Sequence, residues 1–188
     1  MNDKIKNIIN IEWAEPYGPY PSFKHQYDDI GKLINKEDKG IYQIYGDHYI
    51  YGLNTLLYIG QTTETFGGRI VFNIGCHEDF FRCYRLEFQN IYIYVGRLYG
   101  YHEVEENIWH SQIIMAEKLL IYVHTPPLNG SGVKYLENNE IDMDLHIFNW
   151  GNFHKLLPEI SALRWLSGQS HWKEYENDNY QPYGKRGN

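Results

Sequence analysis

Residues 40–62, GIYQIYGDHYIYGLNTLLYIGQT, restrict the fold more than any other stretch of this chain. Two runs rich in Ile, Leu and Tyr, 41–46 and roughly 54–60, flank a centre punctuated by Gly46, Asp47 and Gly52. Such runs between turn residues read as strands, so a hairpin with a longish loop is the simplest topology. The first run opens with Gly40-Ile41-Tyr42 and the second closes with Tyr58-Ile59-Gly60. On neighbouring strands, Tyr42 and Tyr58 can share a sheet face. Their phenols then serve as core packing with satisfied hydroxyls, or as acid–base groups if an arginine or a metal lowers their pKa. Strand pairing alone leaves both open.

The rest of the chain is organised around that hairpin. Residues 1–39 read as an irregular arm, because Pro16, Pro19 and Pro21 suit an extended path and exclude a helix there. After the hairpin, a short helix is predicted to start past Thr62 or Thr63, either of which can cap it. Residues 90–98 alternate as a third strand, with Gly96 as a candidate bulge. Residues 102–124 carry the strongest helical pattern: Trp109, Ile113, Ala116, Leu120 and Val123 recur at three- and four-residue spacing. Glu103, Glu105 and Glu106 favour its N-terminal end, and Pro126 and Pro127 stop it. Ile141, Met143, Leu145 and Ile147 alternate as one strand face, and LPEISALRWLS reads as a second amphipathic helix. Residues 131–168 thus form a strand–helix extension packed on a core at 40–130, and 169–188 a polar, mobile tail.

Composition excludes some classes of function. A net charge of −7, with no Lys/Arg run, argues against a protein that coats nucleic acid through phosphate contacts. No apolar run reaches the length of a membrane-spanning helix, and the N-terminus lacks a secretory pattern, so no membrane partner is expected. Cys76 and Cys83, the only cysteines, form no CxxC and fit a reducing, cytoplasmic setting. The 18 tyrosines suit the strands and rim of a sheet.

Charged residues on apolar stripes are the candidates for chemistry. Glu117 falls between Ile113 and Ile121, where a carboxylate costs free energy unless it is paired or holds a metal. A structural salt bridge to Arg69 or Arg97 is the alternative. His110 and His124 lie on the same face but seven residues to either side, about 10 Å away, so the three do not share one ion. Arg69 follows Gly67-Gly68, where the backbone lets a ligand approach and the guanidinium fork suits a phosphate. An exposed helix arginine is the plainer reading. Asp142 and Asp144 share a predicted strand face and read as solvated.

The string GIYQIYG…LLYIGQT…FGGRI, followed by AEKLLIYVHTPPLN, resembles the GIY-YIG nuclease superfamily over roughly residues 40–130. The resemblance implies an α/β (α+β) core, a small three-stranded antiparallel sheet flanked by helices, here with N- and C-terminal extensions. It implies hydrolysis of a DNA phosphodiester with one Mg²⁺ or Mn²⁺ per active site. By the same resemblance, Tyr42 would be the general base and Tyr58 would position water or phosphate. Arg69 would stabilise charge on the scissile phosphate, Glu117 would be the sole protein ligand of the metal, and Asn129 would order the site from the loop after the helix. His77 is the nearest candidate for the histidine that some members use after the arginine. Leu56 and Leu57 stand where many members place a lysine or another polar residue.

The short flanks favour a compact, stand-alone enzyme of restriction, defence or repair type. Cleavage of both strands would need two sites, hence a homodimer or transient pairing. A catalytically weak nucleic-acid-binding or regulatory module with the same fold is the alternative, favoured by the acidic charge and the missing lysine. A Tyr-rich protein-interaction domain is a third.

Overall fold

The computed structural model describes residues 7–20, 39–70, 90–99, 106–130 and 141–166. Among these the chain is mostly sheet. Seven strands, β1 (Ile8–Trp13), β2 (Tyr17–Tyr20), β3 (Gly40–His48), β4 (Gly52–Thr62), β5 (Ile91–Leu98), β6 (His146–Gly151) and β7 (Glu159–Ser161), form one sheet. Its order is β4-β3-β5-β1-β6-β7, with β2 also paired to β5. The one long helix among the described residues is α1 (Glu106–His124).

This corrects the expected small three-stranded sheet flanked by helices. The three expected strands are present and pair antiparallel as β4-β3-β5. The sheet continues past them because β5 has a second edge to fill. β1 takes it antiparallel, with Ile11 opposite Leu98 and Trp13 opposite Gly96. β2 takes the next part of the same edge, with Tyr17 opposite Ile93. β6 then pairs parallel to β1, which makes the sheet mixed.

Residues 8–13 and 17–20 therefore do not belong to an irregular arm. Ile9, Ile11 and Trp13 alternate into the core and are almost wholly buried, while Ile8 and Glu12 face out. The period-two pattern IINIEW specifies a half-buried strand. The C-terminal extension differs too. Residues 142–145 turn, with the Leu145 N–H donating to the Asp142 carbonyl at 3.0 Å, so Met143 leaves the expected face and β6 begins only at His146. Asp142 and Asp144 consequently share no strand. Glu159–Ser161 is strand rather than helix, because β6 offers it open backbone groups and Ile160 packs opposite Ile147. Among the described residues, helix follows over 162–166. Gly96 is no bulge; it pairs in register with both Ile41 and Trp13.

Both faces of the sheet carry apolar clusters. On one, α1 lays Trp109, Ile113, Ala116 and Leu120 over Ile9, Ile11, Ile41, Ile59 and Ile147. The other gathers Tyr42, Ile44, Ile93 and Val95 with Phe66, Ile70 and Leu128. Leu57 is an extra residue between the pairs Leu56–Tyr45 and Tyr58–Ile44. This bulge turns both Leu57 and Tyr58 toward the second cluster.

Candidate active site

The glycines of the two tripeptides explain how the tyrosines meet. Gly60 lies directly opposite Tyr42 in the β3–β4 register, and Tyr58 lies opposite Ile44. Tyr42 and Tyr58 are thus diagonal neighbours, with ring centroids 6.0 Å apart. The Tyr42 ring lies across Gly60, where a Cβ would stand 2.5 Å from both the phenol carbon and its oxygen. At Gly40 a Cβ would come within 2.1 Å of the Gly96 carbonyl oxygen and 2.8 Å of Phe66. Both spaces are filled by the protein itself, so neither glycine leaves room there for a phosphate.

Burial separates the two phenols. Tyr42 is 1% exposed, whereas Tyr58 is only half-buried. The Tyr58 pKa is raised, first by burial and then by the Glu117 charge; the hydrogen bond with Tyr42 and the Arg69 charge pull it back. At neutral pH Tyr58 is therefore a neutral phenol that can donate a hydrogen bond, not a phenolate.

Arg69 is set by a helical turn over 66–70. Thr65 caps this turn, not Thr62 or Thr63: its hydroxyl accepts from the Gly68 N–H at 3.1 Å, and its carbonyl from the Arg69 N–H at 3.0 Å. Thr62 instead accepts from the Glu64 N–H and closes the preceding turn. Arg69 is exposed, and its charge acts on both Glu117 and Tyr58.

Glu117 and Asn129 meet the outer edge of β4. The Glu117 carboxylate accepts from the Gln61 N–H. Asn129 grips the Ile59 peptide from both sides, accepting from its N–H at 3.0 Å and donating to its carbonyl at 2.8 Å. The Leu128 N–H completes the row by donating to the Leu57 carbonyl at 3.0 Å. These contacts occupy part of what would otherwise be an exposed strand edge. Burial pushes the Glu117 carboxyl up to about 7, against the Arg69 charge, the Gln61 hydrogen bond and the Lys118 charge.

Tyr42, Tyr58, Arg69, Glu117 and Asn129 therefore come together around one end of β4, from the two stretches 39–70 and 106–130. His77 lies outside the described residues. His124 is a tether: its Nδ1 donates to the Leu120 carbonyl at 2.9 Å and its Nε2 accepts from the Leu157 N–H at 3.0 Å. The Gln61 N–H was invisible to residue-type reasoning, because every residue but proline carries one. Leu57 is fully buried, so no cation stands at that position; Lys118 is the second cation whose charge reaches Glu117.

Among the described residues no three His, Cys, Asp or Glu side chains gather as a metal cluster. The donor set at this end of β4 is one hard carboxylate. It fits Mg²⁺ or Mn²⁺, which accept one protein carboxylate when water and phosphate complete the shell, and it does not fit a tightly held structural ion. Comparison with family models, curated proteins and solved structures returned no match.

Proposed function

We propose that this chain is a divalent-metal-dependent endonuclease that hydrolyses DNA phosphodiesters at the β4 end, as its resemblance to GIY-YIG nucleases implies. The observation that carries the reading is the electrostatic coupling of Tyr58, Arg69 and Glu117, which come from a strand, a capped turn and a long helix. Burial of a carboxylate is costly, and a site that keeps one beside an exposed guanidinium is suited to hold a cation and an anion together. Glu117 would hold the metal, which supplies Lewis-acid stabilisation of the phosphate oxygens. Arg69 presents its fork to the phosphate. Tyr58, as the less buried phenol, orients the attacking water or donates to a phosphate oxygen. Tyr42 supports it from behind by hydrogen bond and packing, which moves the leading role from Tyr42 to Tyr58. Asn129 acts through Ile59 by holding β4 in place. Cleavage of both DNA strands would take two copies of the chain, and the thiol usage suits the cytoplasm.

The test is nicking of supercoiled plasmid with Mg²⁺ or Mn²⁺, with Glu117→Ala as control. Metal-dependent nicking that the variant loses supports the reading; no nicking, or nicking unchanged by the variant, removes it. A second reading is a binding or regulatory module without useful catalysis. It is favoured by the structural duties of Glu117 and Asn129, which both satisfy backbone groups of β4. DNA binding that weakens with salt, without nicking, would select it.

A further inference from the structure

The sheet face opposite α1 changes character at β5. Over β3 and β5 it is closed, with Tyr42, Ile44, Ile93 and Val95 packed against Phe66, Ile70 and Leu128. Beyond β5, the buried Ile9, Ile11, Ile147 and Asn149 point to the α1 side. The residues that alternate with them, Ile8, Asn10 and Glu12 of β1 and Phe148 and Trp150 of β6, therefore stand on the face away from α1. Trp150 is 56% exposed. Its ring is nonetheless fixed, because the indole N–H donates to Asn10 Oδ1 at 3.0 Å. Phe148 lies beside it, with centroids 6.3 Å apart and planes 26° from parallel. Two exposed carboxylates flank these rings in register, Glu12 opposite Trp150 and Glu159 opposite Phe148. β1, β6 and β7 carry no lysine or arginine. His146 Nδ1 is 3.9 Å from Glu159 Oε1, beyond hydrogen-bond length. Arg97, cross-strand from Glu12, has its guanidinium 5.8 Å from the centre of the Phe66 ring, toward the closed side.

We propose that Trp150, Phe148, Glu12 and Glu159 form a docking site for an arginine in a basic segment of a partner protein. The face of an indole attracts cations, and the planar guanidinium is the side-chain cation that stacks flat on it. Stacked there, its N–H fork can turn edge-on to a neighbouring carboxylate. Charge selects the occupant. Carboxylates beside the rings repel phosphates and anionic lipid headgroups, and they would oppose each other if two copies met through this face. The chain's net charge of −7 favours the approach of a basic polypeptide. Free small molecules are held in concave sites that bury most of their surface, whereas a sheet face covers one side of a ligand. The arginine is therefore one carried by a larger chain, which adds contact area of its own. This surface lies away from the β4 end and does not depend on the nuclease reading.

The experiment is fluorescence-anisotropy binding, at low ionic strength, of labelled glycine–serine peptides that differ only in carrying arginine, lysine or the neutral isostere citrulline. The full chain is compared with Trp150→Ala, Trp150→Phe and Glu12→Gln, after melting curves show that each folds. The wild type should bind the arginine peptide more tightly than the lysine peptide, and the citrulline peptide least. Trp150→Ala should weaken arginine-peptide binding about 2- to 30-fold, the range of one cation–π contact, and Trp150→Phe should recover part of the loss. Glu12→Gln should weaken it as well. Equal binding of the arginine and lysine peptides, or binding unchanged in Trp150→Ala, would reduce the effect to the overall negative charge and overturn the proposal. So would binding of a neutral oligosaccharide with no peptide binding. Lys185 and Arg186 are adjacent cations of the chain itself. Peptide binding that appears only in a Lys185→Ala, Arg186→Ala double variant would make the chain's own tail the occupant and overturn the proposal of a partner. If Trp150→Ala fails to fold, Glu12→Gln and the wild-type preference for arginine over lysine decide.

Discussion

At the scale of single residues, Glu117 makes the sharpest prediction. Its carboxyl is raised from 4.5 to about 7 by burial, so the folded protein prefers it protonated. Below about pH 4.5 it is neutral in folded and unfolded chains alike. As pH rises toward 7 the unfolded chain ionises first, and folding stability falls. The shift corresponds to on the order of 3 kcal/mol. Glu117→Gln should therefore melt above the wild type at pH 8, with a gap that opens between about 4.5 and 7 and vanishes below. A gap independent of pH would show that the carboxyl is not held in this way. The two phenols predict an order. Tyr58→Phe should slow cleavage by on the order of 10²-fold, the scale of a lost proton-handling group. Tyr42→Phe should cost less, because that hydroxyl is buried behind Tyr58. Single-turnover rates on one oligonucleotide substrate would rank them, and a larger loss at Tyr42 would restore it to the leading role.

At the scale of elements, the outer edge of β4 is held by side chains from α1 and the loop after it. Asn129→Ala leaves the N–H and carbonyl of Ile59 without partners. It should destabilise the fold by about 1–3 kcal/mol, and exchange of the Ile59 amide should accelerate more than that of β3 amides. Unchanged exchange at Ile59 would show that water replaces the clamp at no cost. The hairpin was the most legible element, because its turn residues and aromatic runs act locally. The strand at Glu159–Ser161 was the least legible. LPEISALRWLS has helical spacing throughout, and only the open edge of β6 draws its first residues into the sheet.

At the scale of the whole molecule, β1 occupies the middle of the sheet, between β5 and β6. Trp13 is 2% exposed, and its indole N–H donates to Asn149 Oδ1 at 2.9 Å, joining residues 136 apart in the chain. The stretch 40–130, which resembles a nuclease core by itself, here lacks the strand that covers its β5 edge. A fragment of 40–130 should show no cooperative melting transition by circular dichroism while the full chain shows one. A cooperative transition in the fragment would make β1 and β6 accessories to an independent core. No helix among the described residues is long and apolar enough to cross a membrane.

The sequence by itself determined what depends on near neighbours: the β3–β4 hairpin, the β5 strand and the helix that carries Glu117. Alternation, turn chemistry and helical spacing act over a few residues, so they are written locally. Only the tertiary structure decided what depends on edges and depth. It joined residues 8–13 to residues 146–151 in parallel across most of the chain, filled the spaces beside Gly40 and Gly60 with Gly96, Phe66 and Tyr42, and buried Tyr42 more deeply than Tyr58. A strand edge takes whichever segment brings complementary backbone groups and apolar side chains, and a phenol's role follows from how much water reaches it. Both are properties of the packed sheet, which no single segment encodes.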